Sequence, residues 1–554
     1  MHNKVGFRAN DPSASVAFCH SARRWTSNIL AAQKHRLKIH SVLLSLVFGL
    51  SALPASASIS NIYIGENPTG TEDGSSCTNQ KAVSYFNTAG NWGSGSGQIG
   101  PGTTVHLCGT FTAAPGTSGY LTTHGNGASG NPITILFEAN ALLTATYWGG
   151  PAISIGNSYV TLNGGTNGTI QATANGTNLA YQNGSGECIY SSGASNLLIE
   201  NLTCSDIYVH VCNSPITSCT DTGGTDSIVV SGGNNISIHD NTVHDTAWAI
   251  LYVIPGGSTQ SNVAIYNNRI YNVDHGPTIG DGGNNAVLNG ALIYNNTVHD
   301  AWMWDDNADQ WHHDGVHVFI TKGGSSISGL LIYNNYIYGN WGSHWTASIY
   351  VEPSANPSYI SNFYVFNNVS TAGSPADGVW YIMGNNCGIY NNTAVGGGLR
   401  YSSNTSGVGS TGCTVENNVF TNSLLLSYFR GECVDSSSML SRSDYNDFYG
   451  LPANNAMYYN GWLATLAAWT GATGFDSHSI QSNPNLDANG KPLPGSHVIQ
   501  AGANLTGLGI PALNLDRAGN GRPSTGPWDI GAYQFSSSAG NQPAAPENLT
   551  ATVQ

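Results

Sequence analysis

The chain has 554 residues, of which 40% are hydrophobic and 8% are charged, and it contains 69 Gly, 27 Tyr and 13 Trp. So few Lys, Glu and Arg argue against a helical protein, and so many aromatic residues argue against disorder. A formal net charge of -15 argues against a nucleic-acid partner, whose phosphates require a basic face.

Residues 1–57 have the pattern of a leader followed by a secretory signal peptide. A basic stretch runs from Lys34 to Lys38, an apolar core covers 42–53, and Ala55-Ser56-Ala57 provides a small-residue cleavage site before Ser58. No later apolar run is long enough to span a membrane. These features predict a secreted, extracellular protein that does not contact a membrane.

Export permits disulfides, and the mature part of the chain holds most of the Cys residues. The predicted pairs are Cys77 with Cys108, Cys188 with Cys204, Cys212 with Cys219, and Cys387 with Cys413. Cys433 is then left over. No Cys-x-x-Cys spacing supports a metal site built from these residues.

Residues 58–190 contain short apolar stretches at 103–107, 133–137 and 159–162, separated by Gly, Ser and Asn. Such stretches are typical of strands joined by turns. They predict an N-terminal cap and the first coils of the fold.

Residues 190–450 carry a repeated motif in which an apolar stretch and an aromatic or His residue precede a pair of Asn. The pairs end at Asn241 (Asp-Asn in this one case), Asn268, Asn296, Asn335, Asn368, Asn392 and Asn418, with steps of 27, 28, 39, 33, 24 and 26 residues. A period of about 20 to 50 residues indicates a solenoid. The alternating Ile, Val and Tyr indicate strands, and an Asn at each corner tolerates a left-handed turn and can bond to the Asn of the next coil. The motif therefore predicts an all-β parallel β-helix with an internal Asn ladder.

The same register predicts which side chains point outward. Two positions after the second Asn stand Val243, Ile270, Val298 and Ile337, which we expect inside the coil. One position further stand His244, Tyr271, His299 and Tyr338, which we expect to form an exterior stack.

Residues 450–536 lose the Asn pair and are predicted to form C-terminal coils and a cap. The stretch 462–469 has the pattern of a short amphipathic helix, which could cover the exposed end of the solenoid core. Residues 537–554 contain a linker and a stretch, 543–553, that resembles the first strand of a fibronectin type III module.

The loop that follows Asn296 holds the densest set of carboxylates, imidazoles and indoles in the chain. It reads Trp302-Met303-Trp304-Asp305-Asp306-Asn307-Ala308-Asp309-Gln310-Trp311-His312-His313-Asp314-Gly315-Val316-His317. The next coil adds Trp341, His344 and Trp345 at the matching place, and the previous coil adds Asp274, His275 and Asp281. These three coils are predicted to converge on one patch.

A sugar is the ligand that suits this mixture, because indole faces stack on pyranose rings while Asp, Asn and His bond hydroxyl groups. Cleavage of a glycosidic bond by hydrolysis requires two carboxyl groups, one protonated and one ionised. The predicted catalytic residues are Asp314, Asp305, Asp306 and His313. The predicted substrate-binding residues are Trp302, Trp304, Asp309, Trp311, His312, His317, Trp341, His344, Trp345 and His299.

The Asn-pair coils and the closing stretches 515–523 and 528–533 resemble the pectin-lyase-like superfamily of right-handed parallel β-helix proteins. The resemblance covers roughly residues 190–535 and implies a carbohydrate-active enzyme with its cleft on the exterior of the helix. The segment His313-Asp314-Gly315-Val316-His317 is similar to the Asn-Thr-Asp-Gly-Ile-Asp run of polygalacturonase-type hydrolases, which matches Asp314 to a catalytic Asp. The Gly-His-Gly and Arg-Ile-Lys motifs of that family are missing.

These features together predict a secreted polysaccharide-degrading glycoside hydrolase, expected to act as a monomer on a polysaccharide or oligosaccharide and without a cofactor. A structural calcium ion is left open, as is a metal site built from His312, His313, His317 and an Asp. The first alternative is a polysaccharide lyase that uses His and Tyr, or Lys and Arg, on a uronate glycan. The second is a non-catalytic adhesin that binds glycans. Asp314 could also serve only to cap a turn before Gly315.

Overall fold

The computed structural model describes residues 58–176, 179–208, 225–304, 313–342, 345–354, 356, 359–371, 379–400, 410–421, 432–434, 439–451, 457–459 and 461–536. Within these ranges the chain forms two large sheets of 14 and 23 strands. Strands of successive coils pair in parallel, each coil hydrogen-bonded to the one before and the one after. The predicted parallel β-helix is thereby confirmed.

The first sheet has one strand in most coils. Its strands are Asn61–Gly65, Lys81–Ala82, Thr104–Leu107, Ile133–Phe137, Val160–Asn163, Leu197–Glu200, Ile236–His239, Thr259–Tyr266, Val287–Tyr294, Ser326–Tyr333, Ile360–Phe366, Asn385–Tyr390, Cys413–Glu416 and Leu440–Asp444. The strands from Ile236–His239 to Cys413–Glu416 are the apolar stretches that precede the Asn pairs, and in strands such as Ile236–His239 buried and half-buried residues alternate.

The second sheet covers the other two faces of the coils. Its strands are Thr110–Thr112, Leu121–Thr122, Leu142–Ala145, Pro151–Ile155, Thr169–Ala172, Glu187–Ser192, Thr203–Ser205, Asp226–Ser231, Thr242–Ile254, Arg269–Asp281, Thr297–His299, His313–Ile320, Tyr336–Tyr338, Trp345–Pro353, Val369–Ser370, Val379–Ile382, Thr393–Val395, Leu399–Arg400, Val419–Thr421, Glu432–Val434, Asp447–Tyr449, Met457–Tyr459 and Trp462–Leu463. The two faces join because the strand Thr242–Ile254 pairs with Thr203–Ser205 at its start and with Asp226–Ser231 at its end.

The predicted Asn ladder runs through the corners. Nδ2 of Asn268 donates to Oδ1 of Asn296 over 3.0 Å, and the backbone N–H of Asn268 donates to the same oxygen over 3.1 Å. The contact recurs from Asn241 onward and extends one coil further than predicted, to Asn446. The ladder thus satisfies buried polar groups along the length of the solenoid.

The core and the disulfides agree with the sequence where the structure describes them. Val243, Ile270, Val298 and Ile337 are fully buried, as predicted. The pairs Cys77–Cys108, Cys188–Cys204 and Cys387–Cys413 are disulfide-bonded. The predicted pair of Cys212 and Cys219 lies outside the described residues.

The C-terminal end of the solenoid is closed by the α-helix Leu466–Thr473. Its Thr465 cap accepts the N–H of Ala468, and its Trp469 is fully buried in the main core. Short helical turns elsewhere are the four-residue helix Val83–Phe86 and the 3₁₀ turns Cys77–Asn79, Ala89–Asn91, Trp302–Trp304, Thr506–Leu508 and Pro511–Asn514. Nowhere in the described ranges does a helix combine the length and apolarity needed to cross a bilayer.

After this helix the chain returns along the outside of the coils. Residues 496–535, here called the strap, bind the first Asn of successive corner pairs. Nδ2 of Asn367 donates to the carbonyl of Leu515 over 2.8 Å, and Nδ2 of Asn417 donates to the carbonyl of Ala503 over 2.9 Å. Trp528 of the strap packs with Phe366 and Tyr390 of the coils in a second apolar cluster. The strap therefore ties several coils together from the outside.

Candidate active site

The predicted site residues lie where the strands of consecutive coils stack side chains into columns. One column contains Asp226, Trp248, His275 and Asp314. The adjacent column contains Thr278, His317, Tyr350 and Tyr381. Because paired strands are about 4.8 Å apart, neighbouring members of a column are within contact distance.

A buried network of carboxylates and imidazoles forms the centre of this region. Nδ1 of His313 and Nδ1 of His275 both donate to the Asp274 carboxylate, the second over 2.8 Å. Nε2 of His275 lies 3.5 Å from Oδ2 of Asp314, and Nδ1 of His317 lies 3.5 Å from the same oxygen. All five side chains are buried. The structure thus brings together Asp314, His313 and His317, and it does so through Asp274 and His275 of the preceding coil.

Burial and charge act in opposite directions on this network. Burial alone would raise the pKa of Asp274, but His275 and His313 hold that pKa well below its usual range through charge and hydrogen bonds. Burial likewise disfavours the charged form of His275, yet Asp274 and Asp314 raise its pKa to about 10. Positive charge is therefore needed here to balance the buried carboxylates.

Five aromatic side chains from consecutive coils stack in a row that includes two imidazoles of this network. The ring of His275 stacks on Trp248 with centroids 4.2 Å apart and on His317 with centroids 5.4 Å apart. His317 stacks in turn on Tyr350 at 4.9 Å, and Tyr350 contacts Tyr381 at 5.4 Å. We call these five residues the site stack. His275 and His317 are buried within this row, whereas Trp248, Tyr350 and Tyr381 are half-buried and keep part of their rings accessible.

Tyr350 and Glu352 lie beside the network on the strand Trp345–Pro353. They are two residues apart on one strand, and therefore share a face. Nε2 of His317 lies 3.8 Å from Oε2 of Glu352. Burial first, and then the charges of Glu352 and Asp314, raise the pKa of Tyr350 well above its usual range. Glu352 is half-buried, and its Oε1 accepts the hydroxyl of Ser354 over 2.6 Å.

Two of the indoles predicted as sugar subsites are interior side chains instead. Trp304 is 2% exposed, packs with Tyr208, and donates its indole N–H to the carbonyl of Asn272 over 3.0 Å. Trp341 is fully buried in the main core and donates to the carbonyl of Tyr338. These two predictions are wrong, because a buried indole presents no face to a ligand. Trp302, in contrast, is 48% exposed and stays a predicted subsite.

His299 belongs to a different stack. Its ring lies between Tyr271 and Tyr338, with centroids 5.1 Å and 4.7 Å away, and Nδ1 is hydrogen-bonded to Asp300. His244 stacks on Tyr271 at 4.5 Å, so the predicted exterior stack is present. The arrangement accounts for His299 as a structural side chain, and nothing in it points to substrate binding.

Several predicted residues fall outside the described ranges. They are Asp305, Asp306, Asp309, Trp311, His312 and His344, and the side chain of Trp345 is likewise not described. Asp281, which we expected to join the patch, accepts the backbone N–H groups of Thr321 and Lys322. It closes a turn.

Sequence reasoning missed Trp248, Tyr350 and Glu352. Tyr350 and Glu352 lie in a stretch whose alternation predicts only a strand, and Trp248 lies in a coil without the dense loop. The column register supplies the missing signal, because it sets Trp248 beside His275 and Tyr350 beside His317.

Comparisons with known proteins found similarity to solved structures and to nothing else that was compared. No family model matches the sequence, and no curated protein matches it. A pectate lyase, Pel9A, is 14% identical with a TM-score of 0.42, covering 87% of this chain and 98% of that chain. A rhamnogalacturonan lyase is 15% identical with a TM-score of 0.39, and the match covers 69% of this chain and 87% of the lyase. A mannuronic acid specific family 6 lyase from human gut microbiota is 12% identical with a TM-score of 0.36, and the match covers 77% of this chain and 88% of the lyase. The assignment of the fold rests on the strand pairing described above.

Proposed function

We propose that this protein is an exported enzyme that cleaves an acidic polysaccharide by β-elimination. The observation that carries the proposal is the contact of His317, Tyr350 and Glu352 at the mouth of the buried His–Asp network. The half-buried members of the site stack, Trp248, Tyr350 and Tyr381, support a polysaccharide ligand, because aromatic side chains that stay partly accessible can contact sugar rings. The signal-peptide pattern and the three disulfides support export.

The elimination needs a base and an acid on one face of a uronate residue. The base removes the proton from the carbon next to the carboxyl group, a double bond forms, and the bond to the glycosidic oxygen breaks. That oxygen then takes a proton from the acid. The Glu352 carboxylate is an acceptor of suitable type, because carboxylates abstract protons next to carbonyl groups in other enzymes. The Tyr350 phenol is the proton donor, since a phenol is protonated at neutral pH.

Hydrolysis by a pair built on Asp314 is supported less well. Asp314 is fully buried, and its Oδ1 accepts the N–H of Ala347 over 3.1 Å. Its predicted partners, Asp305 and Asp306, lie outside the described residues. The lyase alternative, which the sequence left open with His and Tyr or with Lys and Arg, is therefore better supported, with Tyr350 kept as the acid and Glu352 in place of His as the base.

A second candidate function, hydrolysis, is favoured by a different pair of carboxyl groups. Asp226 lies in register with Trp248, two coils before His275, and Glu187 lies on the coil before Asp226. Burial, and then the charge of Glu187, raises the pKa of Asp226 to about 7. Burial raises the pKa of Glu187 to about 7 as well. A carboxyl group that keeps its proton near neutral pH can act as a general acid.

Product analysis separates the two functions. Purified protein is incubated with a panel of uronate-containing and neutral polysaccharides, and both reducing ends and the ultraviolet absorbance of unsaturated uronate are measured. Unsaturated product supports elimination, whereas reducing ends without that absorbance support hydrolysis. Binding without any product overturns both and favours the adhesin.

Variants then test the assigned roles. Tyr350→Phe and Glu352→Gln should each lower kcat by roughly 100-fold or more, because each removes a proton-transfer group. Tyr294→Phe is the matched control, since Tyr294 lies in a separate stack between Tyr266 and Tyr333 on the first sheet. Wild-type rates in both site variants would remove Tyr350 and Glu352 from the mechanism.

A further inference from the structure

We propose that His275, Asp314 and His317 bind a divalent first-row transition metal ion such as Zn²⁺. The ligand atoms are Nε2 of His275, Oδ2 of Asp314 and a ring nitrogen of His317, which all lie within 4.8 Å of one another. Both His275 Nε2 and His317 Nδ1 are 3.5 Å from the Asp oxygen. Two ligand atoms on a tetrahedral zinc ion are about 3.4 Å apart, given the usual Zn–N and Zn–O bond lengths.

The orientation of each ligand is fixed by a second contact. Asp274 accepts the Nδ1–H of His275 over 2.8 Å, which directs the Nε2 of this ring toward Asp314. A carboxylate behind a ligating His is the arrangement that sets the tautomer in metal sites. Asp314 is held through its other oxygen by the N–H of Ala347. His317 is held between the rings of His275 and Tyr350.

The backbone also suits a fixed site. His275 pairs with Asp314 and Thr278 pairs with His317 on adjacent parallel strands, so the ligands sit on strands and not on a loop, and a register shift toward the next strand falls between His313 and Asp314. A site built on strands keeps its geometry better than one built on loops. All three ligands are buried, which shields the ion from water on the protein side.

The ligand types select among metals. Two imidazoles and one carboxylate suit Zn²⁺, Fe²⁺ or Ni²⁺, whereas Ca²⁺ prefers oxygen ligands throughout. The ion would also supply positive charge beside Asp274, Asp314 and Glu352. Three protein ligands leave a position open for a further oxygen ligand. If the proposed function holds, that position would take the uronate carboxylate, and this role alone rests on it.

Metal binding can be measured without substrate. The full chain is treated with a chelator and titrated with Co²⁺, whose visible absorption reports coordination by protein ligands, and metal content after Zn²⁺ loading is measured by mass spectrometry. We expect one ion per chain and displacement of Co²⁺ by Zn²⁺. No stoichiometric metal in the wild-type protein would overturn the proposal.

Variants assign the ligands. Asp314→Ala and His317→Ala should abolish the Co²⁺ spectrum, and Asp274→Asn should weaken binding by about 10- to 100-fold through the orientation of His275. His299→Ala is the matched control, because His299 pairs with Asp300 in the other stack. Where circular dichroism shows that an Ala variant is unfolded, His317→Gln takes its place. An unchanged Co²⁺ spectrum in folded ligand variants would overturn the site.

The metal proposal and the proposed function fail separately. Stoichiometric metal with no cleavage of any polysaccharide supports the metal site and refutes the enzyme. Full eliminase activity in protein that takes up no metal supports the enzyme and refutes the metal site.

Discussion

Each corner of the solenoid divides two tasks between adjacent asparagines. The first, such as Asn334, adopts a left-handed backbone with φ of 57°. The second, such as Asn335, is fully buried and accepts two hydrogen bonds from Asn296 while donating to Asn368 and to the carbonyl of Ile293. Chain reversal and coil-to-coil cohesion therefore depend on different side chains.

Replacing these two residues should give unequal losses. Asn335→Ala removes the ladder partner of two coils and leaves buried donors and acceptors without it, so we expect the free energy of unfolding to fall by about 2 to 5 kcal/mol. Asn334→Gly keeps a residue that tolerates the left-handed turn, and should change stability by about 1 kcal/mol or less. Urea unfolding of both variants measures the difference. An equal fall in the free energy of unfolding of both variants would mean that the Asn ladder contributes no stability beyond that of the turn.

The residues that repeat were predictable, and the centre of the site was predictable only in part. The Asn pairs and the disulfide Cys387–Cys413 recur at matching places in the coils, so their spacing alone aligned them. His275 and Asp314 are 39 residues apart in sequence although the corners of their coils, Asn268 and Asn296, are only 28 residues apart, because the loop that follows Asn296 takes up the extra length. Nothing in the spacing indicates how such a loop is accommodated. For the same reason the burial of Trp304 and Trp341 could not be predicted.

At the scale of elements, the strap is attached through polar contacts at the corners and an apolar interface between them. Val419 packs with Val498 and Ile530 of the strap. The next residue in the same column is Asp447, which is fully buried and whose pKa burial raises to about 8. The sequence predicted coils and a cap for this region, but it did not predict that the chain would return over the corners. The Asn side chains that bind the strap are the same first members of the pairs that serve the turns.

The buried Asp447 predicts a pH-dependent stability. In the folded protein this carboxyl group keeps its proton up to about pH 8, whereas in the unfolded chain it loses it near its ordinary pKa of 3.8. The folded state therefore binds more protons between these values, and the free energy of unfolding falls as the pH rises through this window. Asp447→Asn removes this term. Relative to the wild type, the variant should gain stability on the order of 1 to 3 kcal/mol from about pH 5 to about pH 8.

Thermal or urea unfolding at both pH values measures this gain. Asp487→Asn is the control, because Asp487 is only half-buried and its contacts are backbone N–H groups of Asn489 and Lys491, for which an Asn oxygen can substitute. A difference from the wild type that stays constant with pH in Asp447→Asn would contradict the assignment of a buried, protonated carboxyl group.

At the scale of the whole molecule, the coils form a stack in which each contacts mainly its neighbours along the axis. Stability in such an array is close to a sum of unit and interface terms, so damage at one end should stay near that end. The capping helix is held at the end of the stack by Trp469, whose indole N–H donates to Asp476 over 2.8 Å. Asp476 also accepts from Asn446, the last Asn of the ladder. The cap and the ladder therefore meet at one carboxyl group.

Trp469→Ala should loosen the C-terminal coils and spare the rest. Loss of a fully buried Trp costs about 3 to 5 kcal/mol where it packs, and a one-dimensional stack passes little of this to distant coils. Hydrogen exchange measured by mass spectrometry should therefore increase in the strands Leu440–Asp444 and Met457–Tyr459, while Ile133–Phe137 keeps its protection. Equal loss of protection at both ends would show that the solenoid unfolds as a single cooperative unit and not as a sum of separate coils.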